Sequence, residues 1–235
     1  MWQLDGTIAS WECEHLTAQL DLLAPHLGVH VQRWHGQLID PEPVLQLSLR
    51  TPIHASSLDA YIRVGDLIVQ YPECADTGYR LQLRWSVLSE PPLAAVELLV
   101  TMHTTRLSIT SSLDIGNQFE RSLCQGYTPA GLPVPAAGER TSVATPCGLV
   151  LCRPLDTPWT YAEMTNAHGA TLHDVTRPGE RPEDCNRLRV FSGTLEKGVT
   201  RRMRLRGIFL PRTEDAAQAT AHFQRFHQTP PQLDT

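Results

Sequence analysis

Strict alternation of apolar and polar residues over 79–87 constrains this chain more than any other feature. Tyr79, Leu81, Leu83, Trp85 and Val87 fall on one face, and Arg80, Gln82, Arg84 and Ser86 on the other. Successive side chains of an extended strand point to opposite faces, so this pattern suits a strand buried on one side. Stretches over 27–35, 44–50, 58–64 and 67–71 read as further strands. The last two are joined by Val64-Gly65-Asp66 as a tight hairpin. Residues 93–104 are apolar on both faces for much of their length, as in a central strand covered on each side. More strands are expected over 148–153, 159–165, 169–175, 186–192 and 199–210. Eighteen prolines and fifteen glycines supply the many turns that such short strands need.

One helix is expected over 214–227. Thr213 is placed to cap it, Glu214 and Asp215 complement the positive end of its dipole, and Pro230-Pro231 stops it. Ala216, Ala219, Phe223 and Phe226 form an apolar face that is expected to close one end of the strand assembly. The fold class that follows is all-β: a two-sheet β-sandwich with one C-terminal α-helix, built as a single domain over 1–235. Chains of this length commonly form one β-sandwich. The Pro/Gly-rich stretch 126–146 reads as a long loop over that sandwich, with a linker between two halves as the alternative. A second loop is expected over 174–184.

Several function classes fall away. The longest apolar run, 93–102, contains Glu97 and is far shorter than the ~20 residues that span a bilayer. The N-terminal Met-Trp-Gln-Leu-Asp-Gly lacks the basic and apolar regions of a secretory signal, so a cytoplasmic setting is expected. Cys13, Cys74, Cys124, Cys147, Cys152 and Cys185 form no C-x-x-C pair and read as reduced thiols. Lys197 is the only lysine among twenty basic residues, which excludes phosphate-loop and Schiff-base lysines at every other position. There is no G-x-G-x-x-G, G-x-S-x-G or H-E-x-x-H motif. No cofactor and no metal are expected. The net charge of -5 argues against nucleic acid as a partner.

Two patterns carry the candidate chemistry. Along 199–210, Arg202, Arg204 and Arg206 share one face while Val199, Met203, Leu205 and Phe209 share the other. Upstream, Arg187 and Arg189 alternate with Leu188 and Val190. A hairpin centred near Leu195 and Glu196 would set Arg189 against Arg202 and Arg187 against Arg204, and directly opposed like charges destabilise a sheet. Carboxylates on a neighbouring strand, a different pairing, or a bound anion would each relieve this. The guanidinium fork suits phosphate or carboxylate ligands. The second pattern is Trp159, Tyr161 and Glu163 on one face of a strand. Aromatic rings beside a carboxylate suit sugar recognition, and the plainer reading makes the rings core residues. His168, and His173 with Asp174, stand nearby as candidate general acids or bases.

Residues 61–71 (YIRVGDLIVQY) with Gln82-Leu83-Arg84-Trp85, and residues 195–210 (LEKGVTRRMRLRGIFL), resemble stretches of β-rich bacterial proteins that have no settled function. Long strands in such a chain also resemble the galactose-mutarotase-like supersandwich, a fold that commonly handles sugars. Thr165-Asn166-Ala167-His168 is similar to the Asn-His motif of that family, with an alanine interposed. The resemblance implies His168 as an acid and Glu163 or Glu196 as a base. The sequence contexts of these two glutamates depart from the family pattern, so it implies a binding relative rather than a working epimerase.

The leading expectation is a carbohydrate-binding or carbohydrate-modifying protein, with an anionic sugar as one form of ligand. Its site would combine Trp159, Tyr161 and Glu163 with Arg187, Arg189, Arg202, Arg204 and His168 on one concave surface. The alternative is a non-enzymatic protein–protein interaction module whose arginines are structural.

Overall fold

Alternating segments of this chain pair almost entirely as antiparallel strands, and their order is clearest in three stretches. The first holds β1 (Trp2–Asp5), β2 (Ile8–Glu12), β3 (Leu16–Asp21), a 3-10 turn (Pro25–Leu27), β4 (Val29–Trp34), β5 (Gln37–Leu38), β6 (Pro43–Val44) and β7 (Gln46–Leu49). The second holds β8 (Asp59–Arg63), β9 (Asp66–Tyr71), β10 (Arg80–Glu90), β11 (Leu93–His103), β12 (Ser108–Gly116) and β13 (Ser122–Tyr127). The third holds β14 (Thr145–Pro146), β15 (Leu149–Pro154), β16 (Trp159–Thr165), β17 (Thr171–Asp174), β18 (Arg187–Glu196), β19 (Thr200–Pro211) and α1 (Asp215–Gln228). This computed structural model describes residues 1–14, 16–39, 43–50, 58–90, 93–117, 119, 122–134, 145–166, 170–174 and 187–229.

The described strands form three sheets. The largest has the order β13-β15-β16-β19-β11-β10-β9-β8, and a five-stranded sheet has the order β14-β17-β18-β12-β7. Apolar side chains of both meet in one core: Leu83, Trp85, Leu98, Val100, Met203 and Leu205 from the first, and Leu47, Leu113, Ile115, Leu188 and Val190 from the second. The all-β sandwich expectation is met. A third sheet, β1-β2-β3-β4-β5 with β6 alongside β4, adds Trp2, Leu16, Leu20, Val31 and Trp34 to the same core. The sequence reading anticipated β4 but not β1–β3; β1 and β2 bury one residue each, whereas β3 alternates with Leu16, Ala18 and Leu20 buried. It also missed β12 and β13.

The Val64-Gly65 hairpin forms as expected. Arg63 pairs with Asp66, and positive φ at Val64 (51°) and Gly65 (85°) gives the turn the twist that antiparallel strands favour. Residues 135–144 of the expected loop over 126–146, and residues 175–184 of the second, lie outside the described residues.

The helix has a different position from the one expected. It lies over the outer face of the eight-stranded sheet instead of closing an end. Ala219, Phe223 and Phe226 pack there with Leu149, Leu151, Ala162, Met164, Ile208 and Leu210. This explains why β15, β16 and the end of β19 are apolar on both faces: one set of side chains enters the sandwich core and the other lies under α1. Gly148 permits this fit, and Gly207 makes room for Tyr161 on the opposite, core-facing side. A Cβ on Gly148 would come within 2.5 Å of Phe223 Cζ, and one on Gly207 within 2.3 Å of Tyr161 Oη. Thr213 is not the cap. Glu214 precedes the helix with φ 56° and makes no side-chain cap. Asp215 anchors the start, accepting hydrogen bonds from Arg153 Nε (2.7 Å), Arg153 Nη2 (2.9 Å) and Thr160 Oγ1 (2.6 Å). Burial pushes the Asp215 carboxyl up, but these bonds outweigh burial and hold it below its ordinary value.

Candidate functional site

The arginine pattern of β18 and β19 resolves through topology. The two strands do not pair as a hairpin; β18 lies between β17 and β12, and β19 between β16 and β11. The expected opposition of Arg189 with Arg202 and of Arg187 with Arg204 therefore does not arise. Arg189 instead stands opposite Asp114 and donates to it from Nε (2.7 Å) and Nη2 (3.1 Å). Arg187 is exposed opposite Gly116, and Arg202 is exposed opposite Thr101.

Arg204 and Arg206 converge on Glu97. Arg204 donates from Nε (2.7 Å) and Nη2 (3.1 Å), and Arg206 from Nε (3.0 Å) and Nη2 (2.6 Å). The β11–β19 register explains this, because it sets Glu97 opposite Arg206 with Arg204 one pleat away on the same face. Of the three ways to relieve the arginines, the structure contains two: a different pairing, which leaves Arg187 and Arg202 exposed and apart, and carboxylates on neighbouring strands, which hold Arg189, Arg204 and Arg206. Arg204 also donates from Nη1 to the carbonyls of Phe226 and Thr229, so its charge sits at the negative end of the α1 dipole. Both guanidiniums contact the Phe226 ring, at 4.3 and 4.8 Å from its centroid.

Beside this cluster, β10 contributes a second ion pair. Arg84 donates to Asp66 from Nε at 2.6 Å, with Nη2 at 2.5 Å. Together Asp66, Arg84, Ser86, Glu97, Arg204 and Arg206 border a depression of about 220 Å³ at the C-terminal end of α1, with Val87, Leu88 and Leu99 as its apolar part. A larger, more apolar depression of about 360 Å³ lies by β8 and β9, bordered by Leu58, Asp59, Gln70, Tyr71, Pro72 and Arg80. Of the sequence-predicted residues that are described, Arg204 alone borders the polar depression. Glu97, Asp66, Arg84 and Arg206 are not among the site residues expected from the sequence. The available signal was Glu97 itself, a lone carboxylate in an otherwise apolar central strand, which demands a partner.

Trp159, Tyr161 and Glu163 do not line an open surface. They are 5%, 0% and 0% exposed, respectively. Both rings pack edge-on or tilted against Phe119 and Phe209, with centroids 5.2–5.6 Å apart. Their face of β16 meets the sandwich core, so the plainer core reading fits their placement. Glu163 is an unusual member of that core. Tyr161 Oη donates to its Oε2 at 3.2 Å, while Oε1 has no hydrogen-bond partner among the described residues. Burial pushes this carboxyl up to about 7, and the nearby Asn117 amide, Tyr161 hydroxyl and Leu45 backbone only partly counter it. Glu196 lies exposed at the end of β18, in the other sheet of the sandwich. His168 lies outside the described residues, as do the side chains of His173 and Asp174.

No protein-family model matches the chain, and a search of curated proteins finds no match. Among solved structures, it is similar to the galactosidase domain of an α-galactosidase–sucrose kinase (TM-score 0.46, 10% identity, 90% of this chain and 42% of that one). It is also similar to a proposed kojibiose phosphorylase from the human microbiome (TM-score 0.49, 7% identity, 96% of this chain and 29% of that one). A third is the galactose 1-epimerase from Lactobacillus acidophilus NCFM (TM-score 0.44, 10% identity, 87% of this chain and 95% of that one). The chain spans less than half the length of the first two. The likeness is one of fold.

Proposed function

We propose that this protein binds a carbohydrate, with an anionic sugar as the best-fitting form, in the polar depression between β10, β11 and the end of α1. The observation that carries this reading is the joint presentation of guanidinium and carboxylate groups around one small hollow. Carboxylates accept hydrogen bonds from sugar hydroxyls, and guanidinium forks donate to hydroxyls or to an acidic substituent. Among the described residues, three guanidiniums (Arg84, Arg204 and Arg206) and two carboxylates (Asp66 and Glu97) border the hollow. The ion pairs hold these groups in place before a ligand arrives, which reduces the ordering cost of binding. The volume of about 220 Å³ lies below the ~300–1,000 Å³ of sites for drug-sized molecules, and suits a single sugar ring.

The test is thermal unfolding of the pure protein with neutral sugars, uronic acids and sugar phosphates. A ligand at 100 times its Kd stabilises the native state by about 2.7 kcal/mol. The expected result is an upward shift of Tm with an anionic sugar that Arg84→Lys weakens, because lysine keeps the charge and loses the planar fork. Cooperative melting unchanged by every sugar would overturn the reading.

A second reading, a non-enzymatic interaction module, draws on β8. It is the edge strand of the eight-stranded sheet and carries partly exposed Tyr61 and Ile62, beside Val64 at 95% exposure. Self-association or partner capture that Ile62→Lys abolishes, with no sugar response, would favour it.

A further inference from the structure

We propose that Cys124 and Cys152 form a thiol–disulfide pair that fastens the edge strand β13 to β15 on oxidation. The two residues are direct partners in the antiparallel β13–β15 register. Directly opposed residues in such a pair have Cα atoms about 4.5 or 5.5 Å apart, and both spacings fall within the ~4.4–6.8 Å that a disulfide bridges. Their side chains also share a face. Cys152 belongs to the sandwich core, Cys124 packs against that core, and the intervening Leu123 points out at 52% exposure. The Cys124 thiol lies within hydrogen-bonding reach of Cys152.

The environment assigns different roles to the two sulfurs. Cys124 is half-buried on the outermost strand of its sheet, with Ser122 Oγ at 3.3 Å from its sulfur. An oxidant in solution meets it first. Cys152 is fully buried, and the Asn117 amide donates to its sulfur at 3.4 Å. Burial raises this thiol well above its ordinary range, so the second step gains speed as pH rises.

The oxidant is a small-molecule disulfide of the glutathione class. The Cys124 thiolate attacks one of its sulfurs, forming a mixed disulfide and releasing one small thiolate. The Cys152 thiolate then attacks Cys124 Sγ, forming the intramolecular bond and releasing the second. The protein gives up two protons and two electrons, and the small disulfide takes them up as two thiols. Cys147 is also buried, but its sulfur donates to the Leu149 carbonyl, and burial raises it to about 11. It is not Cys124's strand partner.

The test uses the full chain, reduced, freed of reductant and incubated with oxidised glutathione at mildly alkaline pH under native conditions. After acid quenching, the chain is unfolded, alkylated with N-ethylmaleimide and digested, and mass spectra with fragmentation separate Cys147 from Cys152. The expected product is a Cys124–Cys152 cross-link two hydrogens lighter than the reduced pair, with Cys13, Cys74, Cys147 and Cys185 alkylated. Cys152→Ser is expected to stop at Cys124 carrying glutathione, and Cys124→Ser to leave Cys152 alkylated. Full alkylation of both residues in the oxidised wild-type chain, or cross-links distributed over other cysteines, would overturn the proposal. The wild-type peptide map decides this even where a variant fails to fold.

Discussion

Glu163 makes the stability of this protein depend on pH in a specific direction. Its carboxyl is fully buried and pushed from its ordinary 4.5 up to about 7, whereas in the unfolded chain it titrates at the ordinary value. Below about pH 4.5 both states hold the proton and the group costs nothing. As pH rises from there towards 7, the unfolded chain ionises while the folded one stays protonated, so stability falls. Above about 7 both are ionised and the loss is complete. At about 1.4 kcal/mol per pH unit, the loss amounts to about 3 kcal/mol. Glu163→Gln keeps the shape, can still accept from Tyr161, and removes the titration. The assay is urea unfolding of wild type and Glu163→Gln across pH 4.5 to 8. Every other titrating group is common to both chains and cancels in the difference. The variant is expected to gain on the wild type progressively through this window, reaching about 3 kcal/mol at its upper end. A difference that stays constant across the window would refute the reasoning, because it would mean that the buried carboxyl titrates normally.

Two further substitutions test the packing of the same sheet. Asp215→Asn removes the charge that Arg153 and Thr160 hold at the start of α1, and chemical unfolding should show a loss on the order of 2 kcal/mol. Gly207→Ala sets a methyl group against Tyr161 Oη and should cost about 1–3 kcal/mol, with Tyr161→Phe recovering part of it in a double-mutant cycle.

The candidate site was legible only in part. Arg204 was singled out because arginines at alternate positions of one strand must find anions, and it does border the polar depression. Its partner Glu97 lies 107 residues away, so only the β11–β19 pairing reveals it. Trp159 and Tyr161 illustrate the opposite difficulty. Alternation puts both on one face of β16, but nothing local says whether that face meets water or another sheet. Phe119 and Phe209 close it.

Local chemistry determined most elements of this protein. Period-two alternation located β10 and β16, the Val64-Gly65 turn joined β8 to β9, and the spacing of Ala219, Phe223 and Phe226 located α1. Such patterns are properties of neighbouring residues, whose side-chain directions follow from backbone geometry alone. Tertiary structure decided what those faces meet. It sent β18 and β19 into different sheets, laid α1 on an outer face, brought Glu97 to two arginines, enclosed Glu163, and set Cys124 against Cys152. Each of these depends on which distant strand lies alongside, and many partners satisfy the same alternation. The choice is made by packing the whole core at once.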